Sequence, residues 1–334
     1  MYEKNYVTIV ENIKEQIRCA QHRAILNANK EMLILYWNIG KIINEHSEWG
    51  NKFLNNLSSE IKSEFPSAKG FSVSNLKNMA RFYREYQEIE IGQSVTAQIT
   101  WTHNIEILRV KSKEQRLWYI NKTIENGWSV NVLAYQIDTN LYARQIEHKK
   151  VSNFDTNLSS PLSELALETM KDPYVFDFIE LKEDDKEKDL EDALITNMTK
   201  VLLELGKGFA FVGHQYHLEV AGEDFYIDLL FYNIKLKCYV VIELKSGEFK
   251  PEYAGKLSFY LTAVDEQVKE KNDNSTIGLL LCRNKNNVVA EYTIRDINKP
   301  MGVSSYSIKD YLPENLQNEL PSIEELISIV KKDM

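Results

Sequence analysis

Three charged residues stand where charge is costly. Asp228 lies inside Tyr226-Ile227-Asp228-Leu229-Leu230, and Glu243 and Lys245 lie in Tyr239-Val240-Val241-Ile242-Glu243-Leu244-Lys245. Both segments are otherwise apolar, and a buried charge without a partner is strongly unfavourable. The two segments read as strands joined by a hairpin across Asn233 to Lys237. With the turn centred near Lys235 and Leu236, Asp228 and Glu243 are equally far from it and face each other. Directly opposed residues have Cβ atoms about 4.5–5.5 Å apart, so two carboxylates there repel unless a cation joins them. Lys245, two residues after Glu243, shares its face. Ile227, Leu229, Val240, Ile242 and Leu244 are expected on the other face. A pair of hard oxygen ligands suits Mg²⁺, with Mn²⁺ as a substitute. Such an ion polarises a phosphoryl oxygen and acidifies a bound water, and a neighbouring lysine orients or deprotonates that water or offsets charge on the phosphate. The plainer alternative is a solvated hairpin face that happens to carry three charges.

The elements that must position these groups follow from periodicity. Asp189 to Leu205 reads as one amphipathic helix, with Leu190, Leu194, Met198, Val201, Leu202 and Leu205 on a side and Gly206 and Gly208 ending it. On this helix Glu191 lines up with Leu194, Ile195 and Met198, which makes it the candidate third acid; Glu187 and Glu204 are weaker ones. Strands are expected at Phe209 to Val220, Phe225 to Tyr232 and Cys238 to Leu244, a helix from Pro251 to about Val268, a strand at Thr276 to Cys282, and a further strand at Val303 to Ile308. The order α-β-β-β-α-β implies an α/β layer with a mixed sheet.

The first 150 residues read as helical. Ile9, Ile13 and Ile17, then Leu33, Tyr36, Trp37 and Gly40, recur at helical spacing. A break is expected at Glu48-Trp49-Gly50, then a helix from about Lys52 to Phe65. Ser72 or Ser74 caps a helix to about Tyr86, and a polar stretch from Gly92 to Thr100 interrupts. Ser112 opens a helix to Asn126, and Ser129 caps one to about Ile146. Lys77, Arg81 and Arg84 share one face of the helix after Gly70, which resembles a recognition helix; with Asn75 and Asn78 they are the candidate DNA-binding residues. A second helix-turn-helix-like unit spans Lys113 to Asn140. An ordinary helical bundle with a basic stripe is the competing explanation. Residues 151–183 read as a connector before a domain at 184–334.

The chain has 334 residues and a net charge of −9, which by itself argues against a nucleic-acid partner. The charge is uneven, however. Residues 1–150 carry 20 Lys+Arg against 16 Asp+Glu, a net +4, and residues 151–334 carry 20 against 33, a net −13. The three cysteines are too scattered for a disulfide framework or a metal knuckle, and His214 and His217 make a poor zinc pair. Neither a leader pattern nor a membrane span is read, so a reduced, cytoplasmic protein is expected. No P-loop or dinucleotide fingerprint is present.

Asp228-Leu-Leu-Phe-Tyr, Val241-Ile-Glu-Leu-Lys and Phe249-Lys-Pro-Glu-Tyr-Ala-Gly-Lys-Leu-Ser-Phe-Tyr-Leu resemble the YhcG-like branch of the PD-(D/E)XK nuclease superfamily. So do Leu203-Glu-Leu-Gly-Lys-Gly-Phe-Ala-Phe-Val-Gly and, in the first half, Trp49-Gly, Phe65-Pro, Gly70-Phe-Ser with Asn75-Leu, and Gly127-Trp-Ser-Val. The resemblance implies the αβββαβ nuclease core, a divalent metal and a DNA phosphodiester substrate. It assigns metal binding to Asp228, Glu243 and the carbonyl of Leu244, and catalysis to Lys245 with the two acids. One departure is Lys256 after Gly255, where relatives often have Gln. The rival readings are an inactive DNA-binding or scaffold protein that keeps the fold, and an RNA nuclease. Cutting both strands of a duplex would favour a homodimer.

Overall fold

A computed structural model describes residues 2–46, 50–87, 94–181 and 186–310. The expected break at Glu48-Trp49, residues 92–93 of the polar stretch and the run from Glu183 to 185 lie outside the described residues. The chain folds as two units, Met1–Tyr142 and Ala143–Met334.

The first unit is helical: α1 Tyr2–Glu45, α2 Gly50–Glu64, α3 Val73–Glu85, a 3-10 turn Val95–Gln98, α4 Trp101–Ile107, α5 Lys113–Asn126 and α6 Val130–Asp138. Its caps are those read from the sequence. Ser72, Ser112 and Ser129 each accept from the backbone N–H three residues on, which satisfies donors the first helical turn leaves bare. Gly127 ends α5 in the left-handed region, φ 64°. Leu33, Tyr36 and Ile43 of α1 pack with Leu76, Met79 and Phe82 of α3. Gly40 permits that approach, since a Cβ there would lie 2.1 Å from the Met79 carbonyl oxygen. A second core joins Ile107, Tyr119, Ile120 and Leu133. α6 stops at Asp138, short of the expected Ile146, and a π turn follows at Ala143–Glu147.

The second unit holds β1 Val151–Ser152, α7 Phe154–Asn157, α8 Leu162–Thr169, β2 Tyr174–Leu181, α9 Glu187–Thr196, α10 Met198–Leu205, β3 Phe209–Val220, β4 Glu223–Asn233, β5 Cys238–Glu248, α11 Pro251–Gln267, β6 Ile277–Asn284, α12 Asn287–Arg295 and β7 Met301–Asp310. The seven strands form a mixed sheet in the order β1-β7-β6-β5-β4-β3, with β2 also on β7. β3, β4 and β5 are antiparallel, and β5, β6 and β7 are parallel. Two corrections follow. Of the expected connector 151–183, the described residues 151–181 belong to the fold: β1 and β2 pair with β7, and Phe154, Leu158, Met170 and Tyr174 are buried in the core. The expected single helix from Asp189 to Leu205 is two, because Asn197 ends α9 and caps α10.

Hydrophobic clusters line both faces of the sheet. Val240, Ile242 and Leu244 of β5 enter one and Val241 the other, as strand alternation requires. In the first, α9 and α10 contribute Leu190, Leu194, Val201 and Leu205. In the second, α11 contributes Leu257, Leu261 and Val264, and Gly278 of β6 makes room for Leu257.

Candidate active site

The hairpin register is the one expected: Leu229 pairs with Ile242, Leu230 with Val241 and Phe231 with Val240. The ladder between β4 and β5 stops at Leu229, one residue short of Asp228. On the other side, the ladder between β3 and β4 skips the Gln215–Asp228 position, and Gln215 has φ 42°. The alternation of β4 reverses at the same point. Ile227 packs with Leu230 and Val241, whereas Leu229 packs with Phe231 and Ile242. Ile227 was expected on the face of Leu229; the local bend at Asp228 moves it to the other.

Freed from the ladder, the Asp228 carboxylate accepts the Leu244 N–H at 2.9 Å, which holds it against β5 beside Glu243. Asp228 is 8 % exposed, Glu243 1 % and Lys245 7 %. Lys245 Nζ donates to Glu187 Oε1 at 2.6 Å and to the Leu244 carbonyl at 2.7 Å, and lies 3.6 Å from Glu243 Oε2. Lys256 of α11 donates to that same Oε2 at 3.1 Å. Tyr253 and Tyr260 place their rings under the two ammonium groups, at 5.3 and 5.1 Å. The Tyr306 hydroxyl of β7 donates to the Lys245 carbonyl at 3.2 Å, fixing the strand behind the lysine.

The electrostatics record a shortage of positive charge. Burial, with repulsion from Asp228, pushes the Glu243 carboxyl up to about 7 despite Lys256 and Lys245. Burial raises Asp228 too, against the Leu244 N–H and both lysines. For Lys245 burial alone would lower the pKa, but Glu187, Glu243 and Asp228 outweigh it and the amine stays protonated more firmly than usual.

Glu191 sits on α9 facing this cluster and is 6 % exposed. Gln215 donates to its Oε2 at 2.7 Å, and burial raises its pKa, with Asp228 adding repulsion. Glu191 Oε1 and Glu243 Oε1 are buried without a hydrogen-bond partner. Among the described residues no group of three or more His, Cys, Asp or Glu is gathered closely enough to hold a metal ion. A cage of side chains including Glu191 is therefore not formed; Asp228, held on the Leu244 N–H, and Glu243 are the carboxylates at this point, and the Leu244 carbonyl accepts from Lys245 Nζ. The bare Glu243 oxygen and the raised acids fit a cation at this point.

Sequence reasoning passed over Glu187 as a weaker acid, and it proves to be the partner of Lys245. Its signal was its place one turn before Glu191 on α9. Glu204, the other weaker candidate, is instead paired with Arg144 in the core. Gln215 gave no signal, since its role follows from an irregular backbone.

In the first unit the candidate DNA-binding residues divide. Asn75 donates to the Gly70 carbonyl and accepts from Trp101 Nε1 at 2.8 Å, so both ends of its amide serve the fold. Arg81 reaches the Leu108 carbonyl. Lys77 and Arg84 are exposed and Asn78 is half-buried.

Residues 167–321 match the YhcG PDDEXK nuclease domain, and residues 12–144 match the DUF1016 N-terminal domain. A protein of Escherichia coli (strain K12) named "Putative nuclease YhcG" is 29 % identical over 94 % of this chain and 93 % of its own length. Two solved structures are similar over part of the chain. A repair endonuclease from Pyrococcus abyssi is 16 % identical over 38 % of this chain and 48 % of its own, TM-score 0.26. The complex of EndoMS with dsDNA2 is 14 % identical over 41 % and 50 %, TM-score 0.28. This chain thus spans about half the length of those solved chains, and likeness of that extent carries no functional weight. Among the described residues no helix is long and apolar enough to cross a membrane. The two family matches each fall on one folded unit and together take in most of the sequence, and the chain belongs to the YhcG-like branch of the PD-(D/E)XK nucleases.

Proposed function

We propose that this chain is a Mg²⁺-dependent endonuclease that hydrolyses phosphodiester bonds in DNA. The observation that carries the reading is the excess of carboxylate around two lysines, with an oxygen of Glu243 left bare. Asp228, Glu243 and the Leu244 carbonyl would hold the ion, with Mn²⁺ as a substitute. When bound, Mg²⁺ supplies Lewis-acid polarisation of a phosphoryl oxygen and a more acidic water. The chain's own groups do the rest. The Leu244 N–H fixes Asp228, and Glu187 fixes the Lys245 ammonium, so neither need reorganise when substrate arrives. Lys245, held protonated by its acidic neighbours, is suited to offset negative charge growing on the phosphate rather than to remove a proton.

DNA is the substrate that the family resemblance implies. The second half of the chain is strongly acidic, so capture of a polyanion falls to the first unit, where Lys77 and Arg84 lie exposed on α3. The test is a cleavage panel of plasmid, linear and branched DNA and single- and double-stranded RNA, with Mg²⁺ and with chelator. The expected result is chelator-sensitive DNA cleavage that is lost in Asp228→Ala and in Lys245→Ala, both with unchanged circular dichroism. Cleavage of RNA alone would replace the substrate. No Mg²⁺-dependent cleavage, or cleavage surviving both substitutions, would overturn the reading and leave a scaffold that keeps the fold.

A further inference from the structure

α1 is 44 residues long, and only its C-terminal part is used by the fold. Leu33, Tyr36 and Ile43 are buried against α3, whereas among the described side chains of residues 6–28 none is buried. That exposed stretch is not polar all round. Tyr6, Ile9, Ile13, Ile17, Ala20 and Ala24 follow one another at steps of three and four, which is one helix face. Tyr6 is 69 % exposed and Ile9, Ile13 and Ile17 are each half exposed, at 51, 52 and 52 %. Ile13 lies about five and a half turns before Leu33 at 3.6 residues per turn, so this stripe is opposite the face that packs on α3. Ile17 lies five turns before Leu35, and Ile42 two turns later; both are exposed, at 49 and 52 %, so the stripe runs the length of the helix. Glu31 is the charged residue along it. The ion pairs Glu11–Lys14 and Glu15–Arg18 sit on the other side.

We infer that this stripe is a self-association surface and that its occupant is a second copy of the same chain. Three arguments converge on that occupant. An isolated helical stretch of this kind is marginal in water unless an apolar face is buried. From Tyr6 to Ala24 the stripe offers no charge, so its complement must be apolar, and a two-fold axis supplies the identical face. The area also suffices: from Tyr6 to Ile42 the helix rises about 55 Å, and at about 10 Å width it presents roughly 550 Å² of projected face. Side chains standing out of that plane add to it, which reaches the lower end, about 600 Å² per partner, of specific stable interfaces. The inference stands apart from the nuclease reading; neither depends on the other.

The experiment is light scattering coupled to size exclusion on the full chain over a dilution series. The same samples are followed by circular dichroism at 222 nm. The expected mass is twice 38.9 kDa, falling to one chain on dilution, with a loss of helix in step. Ile13→Glu with Ile17→Glu puts charges into the seam and is expected to weaken association by at least about a hundredfold. Ile13→Ala with Ile17→Ala keeps helix propensity and is expected to weaken it less, by about tenfold or more. Both pairs change exposed positions, so the thermal transition of the folded cores should persist. A chain that is monomeric at every concentration, or a dimer that is as tight in both double variants, overturns the inference.

Discussion

The second unit buries two clusters of opposite charge, and they are built to different ends. In one, Glu204 is fully buried, ion-paired with Arg144, accepts the Val175 N–H at 2.9 Å, and has Lys171 Nζ 3.6 Å from its second oxygen. One carboxylate there faces two cations, and burial with Arg144 nearby pushes the Lys171 amine down to about 8, partly countered by Glu204. In the other, Glu187, Glu191, Asp228 and Glu243 share two lysines, Lys245 and Lys256. The first cluster is internally supplied and belongs to the fold. The second is short of cation, and its acids answer by holding their protons to higher pH; this is the imbalance expected where a bound cation would complete the cluster. Burial of charge alone separates nothing; its balance does.

The largest expected effects set these clusters against each other. Glu243→Gln should lower the cleavage rate by about a thousandfold or more, a loss of about 4 kcal/mol in transition-state stabilisation, and leave the melting temperature unchanged or higher. Arg144→Met should do the reverse. It leaves the buried Glu204 carboxylate with Lys171 as its one cation, which should cost somewhat less than the roughly 3–5 kcal/mol of a wholly unpaired buried charge, while the rate per folded molecule stays the same. Melting curves and steady-state cleavage on both variants read the two axes. An Arg144 variant that is stable but inactive, or a Glu243 variant that unfolds but cleaves, would erase the distinction.

The next effect is on pH. Burial and repulsion from Asp228 push the Glu243 carboxyl up to about 7 in the folded chain, above its ordinary 4.5, and Asp228 and Glu191 are shifted in the same direction. A raised carboxyl means that the folded state holds its proton longer. This contribution to stability is complete below pH 4.5 and is lost as the pH rises through 7. At about 1.4 kcal/mol per pH unit the loss is at most roughly 3–4 kcal/mol. In chelator, the stability of Glu243→Gln should lack this part of the pH dependence. Added Mg²⁺ should raise the melting temperature more at pH 8 than at pH 6. Equal stabilisation at both pH values would show that the acids do not answer to the ion.

Lys256 offers a finer test. Its ammonium covers Glu243 Oε2, so the residue marked by the sequence as a departure is a resident counter-charge. Lys256→Met removes it and leaves the carboxylates to Lys245 and the ion. The Mn²⁺ concentration for half-maximal binding should fall by about tenfold, one cation fewer repelling it at close range. Weaker Mn²⁺ binding in Lys256→Met would make the lysine a helper that shapes the ligand rather than a competitor.

Much of this was legible beforehand, for local reasons. A hairpin with a short turn has its register set by the turn, so Asp228 and Glu243 were placed together by counting. The caps Ser72, Ser112 and Ser129 announce themselves by residue type. What escaped depends on long-range or irregular structure. β2 and β1 find their partner in β7, more than a hundred residues away, and nothing near Tyr174 says so. The bend that carries Asp228 out of its ladder sits at Gln215, a non-glycine residue at positive φ, which the sequence does not mark. Asn197 divides a helix whose apolar periodicity continues through it.

The smallest expected effect belongs to the first unit, and it separates exposed cations from those the fold has used. Lys77, Arg81 and Arg84 are all exposed on α3, but Arg81 is held at the Leu108 carbonyl, and Asn75 is spent on Gly70 and Trp101. A cation that touches phosphate adds about one to the slope of log affinity against log salt and little to sequence preference. Lys77→Ala and Arg84→Ala should each weaken binding of duplex DNA by about tenfold or less at low salt, reduce that slope by about one, and leave melting unchanged. Asn75→Ala should instead lower the melting temperature, because Trp101 Nε1 and the Gly70 carbonyl lose their partner. Fluorescence anisotropy over a salt series, beside melting curves, reads both. If Asn75→Ala weakens DNA binding without loss of stability, or Lys77→Ala and Arg84→Ala leave the salt slope intact, the surface that meets DNA is not this face of α3. The basic balance of the first half would then be ordinary solvated charge.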